Sequence, residues 1–371
     1  MRLKPDFRIG ILRAFVSARA TSCLFLAATV SVFVPESRSQ EQPEQPELPE
    51  EPVLIQETPD EPSVQESSAP TPEPRWIDRA REGVHRLVWR SAMSVDRLAG
   101  SKYDEEEYQA ASGSLAMAML WDEFDGWDPK VRFRVDVPLP QLNERYRFFV
   151  GRLNPDEYVS EELDSSGAFP RRGRLEEDET LAGIVYAQAP RLGGRFGASA
   201  GTRVSPFDPY VKGKYQYERM LFVDTRLRIR ETLFWRESEG FGLTSRIDIE
   251  KDFGPRWYML WTGSATISEE SEGVRSYGAL TITHVPKERH SISTRFLIEG
   301  ETDADVTVRD VGIQVAYRRN ISRDWLVLEV RTDLMWPKDY AWQPRKPSWG
   351  FGVGFEMYFG GGEVSASPVT F

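Results

Sequence analysis

Cysteine and histidine are almost absent from this chain, which has one cysteine and three histidines among its 371 residues. Cys23 lies in an N-terminal segment that we interpret below as a cleaved signal, so the mature chain is expected to form no disulfide and no thiolate metal site. His85, His284 and His290 are too few for a histidine-rich metal centre. We therefore expect no metal ion and no cofactor.

Long hydrophobic runs are also missing outside the N-terminus, where no stretch reaches the ~18–20 apolar residues that a transmembrane helix needs. The mean hydropathy is −0.47, a value that a β-barrel can reach because half of each strand is polar. The formal net charge is −11, and residues 1–39 hold six basic and only two acidic residues, so the remainder is more acidic still. Such a chain lacks the concentrated positive field that binds phosphate, and we expect no nucleic-acid partner.

The clearest pattern in the sequence is a strict alternation from Trp349 to Phe359. Its odd positions are large and apolar, whereas its even positions are three glycines, a glutamate and a tyrosine. A period of two places these two sets on opposite faces of a β-strand. The length matches the ~9–11 tilted residues with which a strand crosses a bilayer, so the pattern predicts a transmembrane strand.

Similar alternation recurs along the chain and predicts an all-β fold of about fourteen strands, with twelve as a possible count. We place the strands at 112–122, 130–138, 144–153, 179–189, 194–204, 209–219, 223–235, 240–250, 256–268, 274–285, 290–299, 307–318, 324–336 and 348–359. Short turns alternate with longer connections such as Asn154–Asp178, as in bacterial barrels with short periplasmic turns. We interpret the region as a transmembrane antiparallel up-and-down β-barrel with both ends in the periplasm.

The segments before the barrel differ in composition. Residues 1–39 have a basic start and an apolar core, which is typical of a signal peptide, although a single anchor helix is the alternative. Residues 40–74 contain nine prolines among glutamates and no Lys or Arg, which predicts a disordered Pro/Glu-rich periplasmic linker. Residues 75–110 predict a short amphipathic helix with an acidic connector. Residues 111–371 are the predicted barrel.

Tryptophan is abundant, and six of the eleven tryptophans fall at predicted strand ends. Aromatic rings with one polar edge favour both interfaces of a membrane, which predicts two interfacial girdles. The periplasmic girdle comprises Trp257 and Trp325. The outer girdle comprises Trp121, Trp235, Trp336 and Trp349.

Charged residues occupy the face opposite the apolar one and would line the lumen of such a barrel. The predicted lumen-lining residues are Arg132, Arg134, Asp136, Arg246, Asp248, Arg295, Arg318, Glu329, Arg331, Asp333 and Glu356. Opposed charges across a channel set a transverse field that filters ions. The same charges can pair with one another and nearly close the lumen, so an open pore and a salt-bridged barrel are both compatible with the sequence.

Two features fit this pattern less well. Glu231 shares a strand face with apolar residues, which indicates either a β-bulge or a glutamate that faces a subunit contact. The loop Asn154–Asp178 is rich in acidic residues. It is compatible with a constriction inside the lumen or with divalent-cation bridges to lipopolysaccharide, but a solvated loop is the interpretation we favour.

Catalysis is not expected from this sequence. A phospholipase-like site in an outer-membrane barrel needs a serine with a histidine base at the outer leaflet, and an omptin-like protease needs a histidine with acidic residues at the outer rim. His284 and His290 instead flank a predicted periplasmic turn, and His85 precedes the barrel. We therefore expect that the protein is not an enzyme.

The chain resembles proteobacterial outer-membrane β-barrel proteins of the porin-like class over roughly residues 110–360. The stretches ETLFWRESEG (231–240) and NISRDWLVLE (320–329) and the terminal aromatic strand carry this likeness. The chain departs from the family pattern because it continues past Phe359 to Phe371. The resemblance implies a Gram-negative outer-membrane location, with the bilayer, lipopolysaccharide and the barrel assembly machinery as partners.

Two functions follow from this interpretation. The first is a porin-like channel for passive diffusion of small polar solutes, whose lumen charges tune selectivity. The alternative is a non-conducting structural or assembly barrel, whose N-terminal linker and helix bind a protein partner in the periplasm.

Overall fold

A computed structural model of the chain describes residues 111–124, 126–139, 145–153, 179–187 and 194–360, together with residues 79, 81–83 and 169. All of these residues lie in the second of the two units into which the chain divides, 71–371. The predicted signal peptide (1–39) and the predicted linker (40–74) lie outside the described residues, as does the tail 361–371.

Fourteen β-strands form the described part of the barrel. They are β1 (Ser112–Asp122), β2 (Gly126–Pro138), β3 (Tyr146–Leu153), β4 (Glu179–Ala187), β5 (Gly194–Arg203), β6 (Asp208–Phe222), β7 (Thr225–Arg236), β8 (Gly240–Asp252), β9 (Trp257–Ser268), β10 (Arg275–Lys287), β11 (His290–Glu301), β12 (Val308–Asn320), β13 (Leu326–Met335) and β14 (Ser348–Gly360). The predicted count of fourteen is confirmed, and the alternative of twelve is wrong.

The sheet closes on itself because β1 pairs with β14 as well as with β2. Each strand is antiparallel to both strands that it pairs with. Apart from the β1–β14 pair, every pair joins two strands that are consecutive in the sequence. The closing seam runs from Ser112 opposite Gly360 to Asp122 opposite Gly350. Closure leaves no strand edge and pairs the backbone polar groups within the wall. The predicted antiparallel up-and-down topology is therefore confirmed.

The two faces of the wall separate by the alternation seen in the sequence. In β14, Trp349 is 56% exposed and Phe355 is 49% exposed, and both point outward. Glu356, in contrast, points inward and is only 3% exposed. The same division holds in β8, where Ile247 and Ile249 share the outward face and Asp248 between them is buried inside. The barrel is thus inverted relative to a soluble β-protein, with apolar side chains outside and charged side chains within.

Two strands, β2 and β6, exceed their predicted lengths the most, by four residues each. β2 begins at Gly126 rather than at residue 130, and β6 spans Asp208–Phe222 rather than 209–219. Asp128 and Pro129 have the composition of a turn, but both pair with β1. In the described pairing, β3 bonds to β2 only as far up as Phe133. Within the described strands, the part of β2 above Phe133 is therefore bonded to β1 alone. A proline, which has no N–H to donate, is tolerated in a strand that is bonded on one side.

The barrel has two distinct mouths. The lower mouth, where β1 begins and β14 ends, has short turns such as 223–224 and 288–289. The upper mouth carries longer connections, including 154–178 and 336–347. The described residues of the predicted N-terminal helix, 79 and 81–83, are helical, and none of the described helical residues forms a helix long and apolar enough to span a membrane.

One residue of this N-terminal segment contacts the lower mouth. Arg81 Nε donates a hydrogen bond of 3.1 Å to the Tyr358 carbonyl oxygen, and its guanidinium lies 5.2 Å from the centre of the Trp325 ring. Trp325 in turn packs against the buried Tyr358 and Val327. The described part of this segment therefore lies at the end of the barrel where β13 begins and β14 ends.

Candidate functional site

The lumen is the candidate functional site, because the inward face of the barrel carries the charged side chains. The structure places every predicted lumen-lining residue at an inward-facing strand position. Most of them are buried among one another. Their contacts divide them into several charged clusters along the wall.

Asp248 is the centre of the most buried cluster, on β7, β8 and β9. It is 1% exposed and accepts hydrogen bonds from Arg230 Nη2 at 2.5 Å, Arg246 Nε at 2.9 Å and Thr262 Oγ1 at 2.8 Å. Two guanidinium groups thus share one carboxylate. Charge-assisted hydrogen bonds of this kind compensate the desolvation of the buried ions.

A second cluster surrounds Arg318 on the opposite wall, where β12, β13 and β14 meet. Arg318 Nη2 lies 2.9 Å from Glu356 Oε2, and its Nε lies 3.6 Å from Glu329 Oε2. Two residues further up β13 from Glu329, Arg331 Nε lies 3.3 Å from Asp333 Oδ2. Alternating charges on neighbouring strands therefore neutralise one another across the wall.

The remaining predicted lumen residues make local contacts. Arg134 binds Asp136 through two bonds, from Nε to Oδ2 at 2.5 Å and from Nη2 to Oδ1 at 2.9 Å. Arg295 Nε donates to the Thr281 hydroxyl at 3.1 Å. These groups are half-buried, so they are more accessible from the lumen than the Asp248 cluster is.

Phe169, from the connection between β3 and β4, lies inside the lumen and is 2% exposed. It packs against Ala116 and Ala118 of β1, and Arg132 Nη1 donates to its carbonyl oxygen at 3.3 Å. The Arg331 guanidinium lies 5.7 Å from the centre of the Phe169 ring, a cation–π contact. The favoured interpretation of this connection as a solvated loop is therefore wrong at Phe169, which narrows the lumen.

A glycine of β14 makes room for this ring. A Cβ added to Gly352 would lie 2.5 Å from Phe169 Cε1 and 2.6 Å from its Cζ, which is too close for any side chain. Gly352 lies on the inward face of β14, the strand that closes the barrel, and its lack of a side chain leaves room for the ring. The Phe169 ring thus packs directly against the backbone of β14 at Gly352, a contact that the periodicity of the sequence could not reveal.

Sequence reasoning missed two inward lysines on β6, Lys212 and Lys214. Lys212 is buried, and it lies close enough to Arg134 of β2 for the two positive charges to repel each other. Groups from walls four strands apart in the barrel therefore approach within the lumen. The alternation Val211-Lys212-Gly213-Lys214-Tyr215 was a visible signal, because its even positions are polar.

The upper mouth carries a charged network that links four strands. Arg236 bonds to Asp208 Oδ2 at 2.6 Å and to Glu179 Oε2 at 2.5 Å. Arg203 bridges the same two carboxylates, and Ser238 Oγ donates to Asp208 at 2.7 Å. This network ties β4, β5, β6 and β7 together beside the connection that carries Phe169.

The predicted girdle tryptophans fall on both rims. Trp121, Trp235 and Trp349 are exposed on the outward face near the upper mouth, and Trp336 directly follows the upper end of β13. Trp257 is exposed near the lower mouth. Trp325 differs, because it packs against the inward residues Tyr358 and Val327 beneath Arg81.

Two histidines lie at the lower mouth, on the side opposite Phe169. His284 stacks on Trp257 with 4.2 Å between ring centres, and His290 Nδ1 lies 2.7 Å from the Tyr317 hydroxyl. Within the described part of the chain, no group of three or more His, Cys, Asp or Glu side chains is arranged to hold a metal ion. His85 lies outside the described residues.

No protein-family model and no curated protein matches the chain. Solved structures that match the chain include the following three. The anion-selective porin from Comamonas acidovorans is 11% identical, with 67% of this chain and 98% of the porin covered and a TM-score of 0.45. Outer-membrane expressed OmpT of Vibrio cholerae is 13% identical, with 70% and 99% covered and a TM-score of 0.39. The CymD monoaromatic hydrocarbon channel is 9% identical, with 69% and 90% covered and a TM-score of 0.40.

Proposed function

We propose that the protein is an outer-membrane channel of the porin type, through which small polar solutes diffuse passively. The observation that carries this proposal is the inversion of the closed wall. Trp349, Phe351 and Phe355 are exposed on its outside, whereas Asp248 and Glu356 are buried within. A closed barrel with this polarity matches hydrocarbon outside and water inside, while every strand keeps its backbone bonds.

The lumen charges would set which ions and solutes pass. Arg134, Asp136 and Arg295 are half-buried on the inward face of the wall, so they are the groups that a solute would meet. Lys212, on β6 four strands from Arg134, adds positive charge to the same part of the lumen. Charged groups facing each other across a narrow path act on permeating ions at short range.

Ion selectivity tests this assignment directly. Reversing Arg132 and Arg134 to glutamate removes two positive charges from the lumen wall, so the reversal potential in a salt gradient should shift toward cation preference. Reversing Glu329 and Asp333 to lysine should shift it toward anions. Unchanged selectivity in folded, conducting variants would contradict the residue assignments.

A non-conducting structural barrel is the second candidate, favoured by the pairing of the lumen charges. Asp248, Arg318 and Glu356 are buried within clusters that span neighbouring strands. Such clusters also stiffen a closed wall. In that case the N-terminal segment would bind a periplasmic protein, and deleting residues 40–99 should abolish that partner's co-purification while the barrel stays folded. Retained co-purification after the deletion would contradict this candidate.

A further inference from the structure

Glu231 lies halfway along β7 on its outward face. Leu227 and Ile229 precede it toward the lower mouth, and Leu233 and Trp235 follow it toward the upper mouth, all on the same face. If the wall spans a membrane as proposed above, this carboxylate faces hydrocarbon near mid-depth. Acidic groups at such depth are costly unless another polar group meets them, and they mark functional contacts.

A strand irregularity does not explain this position. β7 pairs with β8 from Thr225 to Arg236 without any shift of register. Its pairing with β6 shifts only between Met220 and Phe222, beside the lower turn. Of the two explanations that the sequence allows, a bulge at Glu231 is therefore wrong, and regular alternation itself points the carboxylate outward.

The neighbours of Glu231 on the outward face include hydroxyl groups. Tyr215 of β6 and Ser245 of β8 lie directly opposite Glu231 across the two pairings. Ser245 Oγ donates a hydrogen bond of 2.6 Å to Glu231 Oε2. A carboxylate has about four acceptor sites, so this single bond leaves it able to accept more.

We propose that the outward face of β6–β9 around Glu231 packs against a second copy of this chain. In a two-fold contact the same patch meets itself, so each copy brings both the acceptor and the donors that the other needs. Glu231 would then accept from the Tyr215 hydroxyl of the second copy, because the single Ser245 hydroxyl proton is already donated within its own chain. This inference rests on the proposed membrane placement.

The shape of this face suits close approach of two walls. Small outward residues near Glu231 include Gly213, which is two residues from Tyr215 on β6, and Ala265, which lies opposite Ser245 on β9. Small residues let two membrane-embedded surfaces approach closely.

The basic N-terminal segment of the same chain is another candidate partner for Glu231, but its described residues contact a different part of the barrel. Arg81 contacts Tyr358 and Trp325, where β13 and β14 meet the lower mouth. β14 is seven strands from β7 in the fourteen-strand barrel, on the opposite wall. The outward face of that wall carries Met117 and Phe355, long apolar side chains that suit lipid.

Cysteine cross-linking in outer membranes tests the proposal. In a Cys23→Ser background, Ala265→Cys places one thiol on β9, opposite Ser245 and two strands from Glu231. Val353→Cys places one on β14, on the opposite wall, as the matched control. A short bis-maleimide should give a product of two-copy mass with Ala265→Cys and none with Val353→Cys. Adding Glu231→Leu should abolish this product, whereas Glu231→Gln, which keeps an acceptor, should retain it.

The possible failures are distinguishable. Heat-modifiable gel mobility shows that each variant is folded, and membrane fractionation shows where it resides. A folded, membrane-inserted Ala265→Cys variant that gives no product, or no more than Val353→Cys, would overturn the interface. A product unaffected by Glu231→Leu would overturn the role of the carboxylate. A folded barrel absent from the outer-membrane fraction would overturn the membrane placement itself.

Discussion

At the residue scale, the fit between Phe169 and Gly352 is the contact most directly tied to passage through the barrel. A Cβ at position 352 would collide with the ring, so Gly352→Ala should displace Phe169 from the wall. Phe169→Ala removes the same ring without altering the strand. If the ring narrows the path, both substitutions should raise single-channel conductance in planar bilayers.

Comparing these two variants distinguishes the effect of the Phe169 ring from the effect of the β14 wall. An increase with Phe169→Ala and none with Gly352→Ala would mean that the ring adapts to the added methyl group. Unchanged conductance in both would contradict the view that Phe169 narrows the path.

The Asp248 cluster gives a prediction about stability. Asp248→Asn removes the charge that Arg230 and Arg246 share in a buried site. Removing one partner of a buried ion pair costs about 3–5 kcal/mol, because the other charge stays buried. We expect a loss of that order in the free energy of unfolding, measured by urea titration of the folded barrel in lipid.

A more exposed ion pair on the inward face of β2 provides the matched control. Asp128 and Lys130 lie 2.6 Å apart, but the Asp128 side chain is 41% exposed. Asp128→Asn should therefore cost about 0–1 kcal/mol, as exposed pairs do. Equal losses for Asp248→Asn and Asp128→Asn would mean that water reaches the Asp248 cluster freely.

At the scale of elements, the seam between β1 and β14 decides whether the sheet closes. Met117 lies directly opposite Phe355 across it. Cysteines at these two positions should form a disulfide within one chain, because opposite Cβ atoms lie ~4.5–5.5 Å apart. Loss of maleimide-reactive thiols after oxidation, in a Cys23→Ser background, measures this bond.

A displaced pair checks the register. Cysteines at Met117 and Phe351 would be about 13 Å apart along the strand and should stay reduced, since four residues separate the true and false partners. Oxidation of the displaced pair, or failure of the matched one, would contradict the closing register.

The strands themselves were predictable because successive side chains of each strand alternate between an apolar outward face and a polar inward face. Isoleucines on both sides of Asp248 and glycines between the aromatics of β14 reveal their faces without any long-range information. Strand ends were less predictable, as at Pro129, because turn-like residues are tolerated where a strand is bonded on one side.

The contacts that give the lumen its form could not be predicted in the same way. Phe169 meets Gly352 across a long stretch of chain, and a single phenylalanine in a polar loop has no periodicity. Glu231 was recognisable as an exception, but only the continuous pairing of β7 with β8 showed that no bulge accounts for it.

At the scale of the whole molecule, the central claim is that the closed, inverted barrel is an open channel. The charged clusters favour a solvated path if water reaches Arg134 and Arg295, and a closed wall if the clusters fill it. Stability and cross-linking do not distinguish these states, whereas passage of ions does.

The most direct measurement is the single-channel conductance of the refolded mature chain in planar bilayers, with and without residues 40–99. We predict discrete conductance steps from both forms, and larger steps after truncation if the N-terminal segment obstructs the lumen. Silence from both forms, with heat-modifiable mobility confirming a folded barrel, would contradict the channel and leave the structural barrel as the account of this protein.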